Sequence, residues 1–522
     1  MSASRTPVLV VGAGLAGCLL ALELAHDGVA SIVVERSSRS SWHPELNLVS
    51  GRGMELLRRL GLADLVRSDG VDPDRSAATA WSRSFGESPI LVTPMPSVNE
   101  LRRQYAGTTD GSAPVEPYAL LTGVDLATRL RDCVRAHPLI DLREGWIFTD
   151  LRLEPGRTFA TVLDGGARAR HVIEAGYLAG CDGAQSTVRR CLGVPLEDAL
   201  TPARHCTVYF RSDSLCPPVP APSTIIAEGM ALTRRSGDGL WAGHLPLDSD
   251  DAAVPDPVAL LRRKLGIEVS AAQILGVAQW QEALGIARTY RRGTAYLVGE
   301  SAHRFHPTSA TVDTCLADAV DLGWKLAAAV ARWGGPGLLG SYEGERRRQA
   351  VLEREMLSRS LEARQRFGRL AAAGASPDYL AGVLRGEPPQ VDPTGTNALG
   401  DHVASAVVWR DDPATAQAGT RLPAVRLSGG EQLFDLLGPQ FTLLDLTAGQ
   451  AGRSLVDSAE ARGIPMTHLP VDDATLRADW RGRLVLVRPD HYVSWRSAEP
   501  PSHWDIVLDV VTGYRVQDPV IT

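Results

Sequence analysis

The opening 36 residues carry the feature that most restricts what this chain can fold into, a strand, a glycine-rich turn and a helix in immediate succession. Residues 8–11 form an all-apolar run, which predicts a strand buried on both faces. Glycines then follow in the spacing G-x-G-x-x-G, and helical apolar spacing continues to residue 26. A second buried strand over residues 31–34 leads into Glu35. This order predicts a βαβ unit that binds a dinucleotide.

Each glycine of this motif has its own physical role. Gly12 makes the tight turn, Gly14 lets the backbone approach a pyrophosphate, and Gly17 lets helix and strand pack closely. The positive end of the helix dipole attracts the anion. Glu35 can accept hydrogen bonds from a ribose diol. A nucleotide is therefore expected at this end of the chain.

Composition excludes several other classes of protein. The 522 residues include 54 Lys and Arg against 61 Asp and Glu, a net charge of -7, so nucleic acid and anionic membranes are not expected partners. The seven cysteines show neither a C-x-x-C pair nor zinc spacing, which predicts reduced thiols and no metal site. No apolar run reaches the roughly 20 residues that span a membrane. We expect a cytoplasmic protein.

The middle of the chain alternates short strands and loops, and three side chains there could line a pocket for a large apolar substrate: Tyr209, Trp241 and His244. Ordinary sheet packing is the alternative for each. Because Trp241 and His244 are three residues apart, a regular strand points them to opposite faces. Only a bulge at Gly243 could aim both into one cavity. We expect Trp241 to line the pocket, since it has the larger apolar surface.

Two further segments complete the organisation of the chain. Residues 295–332 predict a strand, a tight turn and a helix that starts at residue 316. A proline-rich linker near residue 388 precedes a small α/β domain over residues 400–522. Buried-type strands are predicted there at residues 441–445 and 484–487.

Several motifs, taken together, resemble the FAD-dependent aromatic hydroxylases, the class A flavoprotein monooxygenases of the phenol hydroxylase type. They are G-A-G-L-A-G from Gly12 with Glu35 and Arg36, C-D-G-A-Q-S-T-V-R from Cys181, G-E-S-A-H from Gly299, and A-D-A-V-D-L-G-W-K-L-A from Ala317. The stretch L-V-R-P-D-H-Y-V-S-W-R from Leu486 resembles the thioredoxin-like tail of these enzymes. The motifs span nearly the whole chain in the family's order.

The resemblance implies an α/β protein with three domains. These are a Rossmann-like FAD-binding domain of the p-hydroxybenzoate hydroxylase type (residues 1–75, 100–190 and 284–390), a β-sheet substrate domain (76–99 and 191–283) and a thioredoxin-like C-terminal domain (400–522). The implied cofactor is FAD, held by Gly12, Gly14, Leu15, Ala16, Gly17, Glu35, Arg36, Arg52, Asp182, Gly183, Gly299, Glu300 and Ala310. No cysteine follows Cys315, so the tail is expected to serve as a scaffold or to form a homodimer rather than perform dithiol chemistry.

Two departures from the family pattern concentrate on the flavin ring. Members usually carry P-x-G-G-x-G-x-N, whereas residues 307–314 read P-T-S-A-T-V-D-T, without a glycine. Related hydroxylases commonly have a basic residue after His-Pro, where this chain has Glu45. An anion beside the ring opposes the negative charge of reduced flavin. We expect FAD to be kept while its redox chemistry is weakened or lost.

These departures favour a polyketide tailoring enzyme that closes a decalin ring by a non-redox 4+2 cyclisation, with FAD as a structural cofactor. Such FAD-containing cyclases (Diels-Alderases) occur in spirotetronate-type biosynthesis and resemble this family. The alternative is an NAD(P)H- and FAD-dependent monooxygenase that hydroxylates an aromatic polyketide. A flavin-carrying partner protein without activity is a third possibility. Both enzymes would take a small polyketide-type substrate, and the sequence assigns no catalytic residue.

Overall fold

The secondary structure follows the expected alternation of strands and helices. The structure is a computed structural model, and it describes residues 4–38, 46–198, 203–213, 215, 219, 222–235, 239–247, 256–266, 269, 272–281, 283–306, 310–387, 402–409, 418–447, 451–480, 483–501 and 503–517. The strands are β1 (Ser4–Val11), β2 (Ser31–Glu35), β3 (Leu46–Val49), β4 (Ala77–Trp81), β5 (Leu91–Met95), β6 (Ala119–Thr122), β7 (Ile140–Glu144), β8 (Trp146–Glu154), β9 (Arg157–Asp164), β10 (Ala169–Gly180), β11 (Leu196–Asp198), β12 (Arg204–Arg211), β13 (Ser223–Ala227), β14 (Met230–Arg234), β15 (Leu240–Pro246), β16 (Gln273–Gln281), β17 (Ala283–Ala287), β18 (Arg291–Arg292), β19 (Ala295–Leu297), β20 (His303–His306), β21 (Phe441–Asp445), β22 (Met466–Pro470), β23 (Leu484–Val487) and β24 (Val493–Ser497).

The helices pack on the faces of these sheets. They are α1 (Leu15–His26), α2 (Gly51–Arg59), α3 (Ala63–Ser68), α4 (Val98–Ala106), α5 (Gly123–Ala136), α6 (Thr187–Cys191), α7 (Pro257–Leu265), α8 (Ala310–Val330), α9 (Pro336–Ala372), α10 (Pro377–Arg385), α11 (Arg453–Ala461), α12 (Ala474–Asp479) and α13 (Trp504–Val511), with 3-10 turns at Gly299–Ser301 and Leu433–Leu436. None of the described helices is long and apolar enough to cross a membrane.

The central sheet brings the ends of three parallel strands to one edge. Its order is β18-β19-β10-β1-β2-β7, extended by the hairpin β8-β9 beside β10. Val11 pairs with Gly180, and Gly180 pairs with Leu297. The turns that follow β1, β10 and β19 therefore lie side by side at the carboxyl edge, where ligands bind in open α/β sheets. Helix α1 is buried along most of its length, because it packs between this sheet and α8.

A second sheet has two faces with different neighbours. Its order is β16-β12-β15-β14-β13-β4-β5. On one face, which we call the outer face, Phe210 and Leu232 pack against Leu261 of α7. On the other, the inner face, Trp81 and Ile226 pack against Phe367 of α9. The inner face is thus turned toward a helix that belongs to the FAD-binding part of the chain.

The C-terminal sheet has the order β22-β21-β23-β24, with β21 and β22 parallel and the other pairs antiparallel. Its core continues into the first domain, where Trp324 and Trp333 meet Phe441 edge to face. Beside this contact, Arg488 donates to Glu345 (2.8 Å) and Asp321 (3.0 Å) in a buried ion-pair network. Such a network fixes the docking geometry more than it adds stability.

The expected α/β class, with a separate sheet at the C-terminal end of the chain, is confirmed. Strands β21 and β23 occupy the predicted residues; β21 is buried at every position, and β23 is a buried, all-apolar run. Helix α8 begins at Ala310, six residues before the predicted start at Leu316. Residues 310–314 have little apolar periodicity, and contacts with other parts of the chain hold them in the helix.

Candidate cofactor and substrate site

The turn between β1 and α1 is shaped by its glycines. Gly12 has a φ of 104°, and a side chain there would overlap the carbonyl of Cys181. A side chain at Gly17 would overlap the carbonyl of Gly12. At Gly14, the N-cap of α1, a Cβ would meet no described protein atom within 4 Å, and no side chain caps the helix. The unsatisfied N–H groups of the first turn, beginning with Leu15, therefore face open space that fits a pyrophosphate.

Glu35 lies beside this helix start. Its Oε2 accepts the N–H of Ala13 (2.7 Å), and its Oε1 accepts the N–H of Ser37 (2.8 Å). A carboxylate can accept about four hydrogen bonds, so capacity is left for a ribose diol. Arg131 of α5 donates to the carbonyls of Ala13 (3.0 Å) and Ser37 (3.3 Å). No motif marked Arg131, since only the fold brings α5 here; Arg36 is exposed beside Glu35.

The second and third motifs meet at this edge. The carboxylate of Asp182 accepts the N–H groups of Thr187 (2.6 Å) and Val188 (3.0 Å), so it shapes its own turn. Gly183 has a φ of 76°, and a Cβ there would lie 3.9 Å from Oε2 of Glu300. The Asp-Gly turn and the acidic turn expected to bind the ribityl chain are therefore neighbours.

Asp318 of α8 holds the turn that carries Glu300. It accepts the N–H of Gly299 (3.0 Å), is hydrogen-bonded to Nε2 of His303 (3.0 Å) and accepts Nε of Arg346 (2.8 Å). Burial alone would raise the pKa of Asp318, but His303 and Arg346 hold that pKa below its usual value. A side chain at Gly299 would press on Ala16 of α1, so this turn packs against the pyrophosphate end of the site.

The ring end of the site is built from side chains. Glu45 and residues 307–309 lie outside the described part of the chain; Ala310 begins α8. Asp313, in the first turn of α8, is 3% exposed and accepts the N–H of Ser50 (3.2 Å). The next residue, Thr314, donates to the buried carboxyl of Glu353. Burial raises the pKa of Glu353 to about 8.

Arg52 lies in a different environment from the glycine turns. It is 4% exposed, and its Nη1 donates to Glu55 (2.6 Å). It lines a small cavity with Asp321 and Asp490, against the C-terminal domain. Contact between Arg52 and FAD stays a prediction.

The inner face of the second sheet carries a hydrogen-bonded group of aromatic and polar side chains. Thr207 Oγ1 lies 3.0 Å from Nδ1 of His244 and accepts Nε1 of Trp280 (2.9 Å). The Trp280 ring stacks on His205, with 4.5 Å between ring centroids. Tyr209, two residues along β12 from Thr207, points to the same face and is buried. The sequence had marked Tyr209 and His244 but not Trp280, whose partners come from another strand.

The structure corrects the expectation for Trp241. Strands β12 and β15 pair without a register shift, so no bulge at Gly243 turns Trp241 and His244 to one side. Trp241 is 1% exposed on the outer face, among the leucines of α7, and its Nε1 donates to the carbonyl of Ser212 (3.0 Å). It belongs to the core on the side away from α9. His244 is the residue of the pair on the inner face.

Comparisons with known proteins agree with this geometry. A family model described as FAD binding domain matches residues 5–354, and one described as aromatic-ring hydroxylase, C-terminal matches residues 415–513. The fold and the glycine turns define a flavin-dependent enzyme. The chain belongs to the FAD-dependent aromatic-ring hydroxylase family of monooxygenases, and its cofactor is FAD.

Similar proteins act in natural-product biosynthesis. A putative polyketide hydroxylase of Streptomyces halstedii is 30% identical, over 95% of this chain and 94% of that protein. The dialkyldecalin synthase of Streptomyces rugosporus is 27% identical, over 94% of this chain and 96% of its own. The rebeccamycin biosynthetic enzyme RebC, solved with reduced flavin, is 27% identical with a TM-score of 0.84, over 98% of this chain and 100% of its own.

Proposed function

We propose that this chain is a polyketide tailoring enzyme that closes a decalin ring by a non-redox 4+2 cyclisation, with FAD as a structural cofactor. The observation that carries the proposal is a pair of buried carboxyl groups at the start of α8: Asp313 in its first turn, and Glu353 of α9, which accepts the hydroxyl of Thr314. The family pattern places small residues and free backbone N–H groups there, against the flavin ring. The similarity to a dialkyldecalin synthase supports the same assignment.

The electrostatics of this helix start oppose reduction of the cofactor. FAD, when bound, supplies two-electron redox chemistry to the hydroxylating enzymes of the family. A helix N-terminus favours the negative charge that reduction places on the ring. The carboxylate of Asp313 lies in that first turn, accepting the N–H of Ser50, and brings a negative charge to the positive end of the helix. Glu45, next in the chain after His-Pro, would add to this effect.

The inner face of the second sheet supplies the wall of the substrate site in this proposal. Trp280 and His205 offer aromatic surface, Tyr209 is buried on the same face, and the Thr207–His244 hydrogen bond fixes the side chain of His244. A cyclisation of a linear polyene needs no nucleophile or base. It needs the reacting ends to be held together, because the entropy lost on binding then no longer has to be lost in reaching the transition state. A rigid, largely aromatic wall is suited to that task.

The second candidate is a monooxygenase that hydroxylates an aromatic polyketide. The specific observation in its favour is the 30% identity to a putative polyketide hydroxylase, together with a complete set of turns at the pyrophosphate end. In either case the proposed substrate is a small polyketide-type molecule. A cytoplasmic location and a homodimer stay predictions.

The two candidates differ in the mass of their products. The FAD-loaded enzyme is incubated with a linear polyene that carries a conjugated diene and an activated alkene, with and without NADPH and O₂, and the products are weighed by mass spectrometry. The proposal expects a product of unchanged mass that forms equally without NADPH and O₂. A product heavier by one oxygen atom, formed only with both, would establish the hydroxylase instead.

A matched pair of variants tests the substrate wall in the same assay. His244→Leu removes the hydrogen bond to Thr207 on the inner face, and we expect slower turnover with FAD retained. Val277→Ala alters an exposed position on the outer side of β16 and should leave turnover unchanged. Equal turnover in the His244 variant and the unaltered enzyme would remove the inner face from the substrate site.

A further inference from the structure

A cleft separate from the FAD site lies where the C-terminal domain meets the first domain. Its volume is about 560 Å³, within the range of pockets that hold small organic molecules. Across it, Nε2 of Gln440 donates to Oδ1 of Asp27 (2.9 Å). Trp333, Ile464 and Met466 supply apolar wall. Each of the two domains thus supplies one side of the cleft.

The ends of three helices converge on this cleft. Asp27 directly follows α1, Ala327 and Ala331 close α8, and Glu460 lies in the last turn of α11. A helix C-terminus carries about half a negative charge. Two carboxylates add to this potential, and none of the described residues that line the cleft is Lys, Arg or His. The cleft therefore combines an apolar wall with a negative potential.

Asp27 is held in an unfavourable position. A carboxylate at a helix C-terminus faces the negative end of the dipole. Its Oδ2 is buried and has no hydrogen-bond partner among the described residues. Burial raises the pKa of Asp27, although Gln440 and Arg59 act in the opposite direction. Arg59 is itself paired with the buried Glu23, so its positive charge only partly compensates the charge of Asp27.

From this arrangement we infer that the interdomain cleft binds a small organic cation, a protonated amine carried on an apolar or aromatic body. The ammonium group would pair with the carboxylate of Asp27, with Glu460 at the rim, and the apolar body would cover Trp333, Ile464 and Met466. Aromatic side chains also attract cations through their ring faces. The inference does not depend on the reaction catalysed at the FAD site.

The test uses the FAD-loaded full chain and 2-phenylethylammonium as the probe, with binding measured by titration calorimetry. Neutral 2-phenylethanol has nearly the same shape and serves as the uncharged control. We expect the amine to bind at least about tenfold more tightly than the alcohol, with an affinity that falls as salt is raised. Equal affinity for the two compounds, or no binding of the amine, would overturn the inference.

Three variants test which carboxylate pairs with the ammonium group. Asp27→Asn keeps an acceptor for Gln440 and should weaken amine binding about tenfold, whereas Glu460→Gln at the rim should weaken it about threefold. Asp457→Asn alters an exposed acid of α11 that pairs with Arg453 outside the cleft, and should change nothing. Retained FAD absorbance shows that each variant is folded. Unchanged amine affinity in both cleft variants would also overturn the inference, and the Glu460 variant decides it alone if the Asp27 variant fails to fold.

Discussion

The two ends of the FAD site differ in the atoms that shape them, which are backbone atoms at one end and side chains at the other. At the pyrophosphate end, backbone atoms at the ends of β1 and β10 define the shape, and side chains at Gly12 or Gly17 would overlap carbonyl groups. At the ring end, the start of α8 is held by side chains, among them Asp313 and Glu353. The first end leaves almost no room for change, because the backbone itself is the site. The second can be rebuilt by ordinary substitutions.

This difference explains how one family can keep a cofactor while its chemistry diverges. We propose that binding energy comes from the pyrophosphate and adenosine end, where a helix start and Glu35 are in place. Reactivity depends on charges near the ring. A chain that changes only the second set keeps FAD and alters what FAD does.

The largest effect is expected at the pyrophosphate end. Gly14→Val should abolish FAD binding, because its side chain enters the open space in front of α1 rather than any described protein atom. The protein should still fold, and its flavin absorbance after purification gives the occupancy. Gly340→Val, at an exposed site in α9, is the matched control and should retain FAD. Normal occupancy in the Gly14 variant would show that the pyrophosphate binds elsewhere.

At the ring end we expect a smaller effect, which changes the rate of flavin reduction and leaves FAD bound. Asp313→Asn keeps an acceptor for the N–H of Ser50 but removes a buried charge, so NADPH should reduce the flavin about tenfold faster in stopped-flow measurements. FAD affinity should stay within about a factor of two. Glu197→Gln, an exposed acid paired with Arg347, should alter neither property. If the Asp313 variant loses FAD instead, the two ends are not independent.

The smallest effect is a change in how stability depends on pH. Glu353 has a pKa of about 8 in the folded protein against an ordinary value of 4.5. Between these values the folded state binds more protons than the unfolded state, so the free energy of unfolding falls as pH rises. Glu353→Gln should remove the part of this loss of stability that Glu353 causes. The melting temperature of the variant minus that of the unaltered protein should therefore increase as pH is raised from about 5 to about 8.

Glu355→Gln, an exposed position on the same helix, is the control for this comparison and should follow the unaltered protein at every pH. Some dependence of stability on pH should remain in the Glu353 variant, because burial also raises the pKa of Asp321. A Glu353 variant whose relative melting temperature does not change with pH would show that this carboxyl is ionised in the folded protein.

Features set by local sequence were predictable from the chain alone. The turn after β1 depends on glycines that are close in sequence, and β21 and β23 are short, fully buried runs in which apolar residues dominate. The opposite orientation of Trp241 and His244 followed from the period of a strand. The sequence could not show whether Trp241 or His244 points into the outer core, because that depends on where α7 packs.

Features that depend on distant contacts were missed. The start of α8 has few apolar residues, and its helical state rests on contacts with Ser50 and Glu353. Arg131 supports the turn after β1, yet no motif marks it, since its partners Ser37 and Ala13 lie 94 and 118 residues away. Asp318 lies within the motif that begins at Ala317, but its part in holding the turn at Gly299 is seen only in the fold. A motif shows which backbone binds a ligand, whereas the side chains that hold that backbone in place are found only in the fold.

The central claim, that the pyrophosphate end is kept while the ring end no longer favours reduction, has one direct test. The purified FAD-loaded protein is mixed with NADPH under argon, and the flavin absorbance band is followed by stopped flow with and without an aromatic polyketide. The account predicts that the band persists and that the polyketide does not accelerate its loss. Rapid bleaching that the polyketide accelerates, followed by recovery in air with formation of a hydroxylated product, would contradict it.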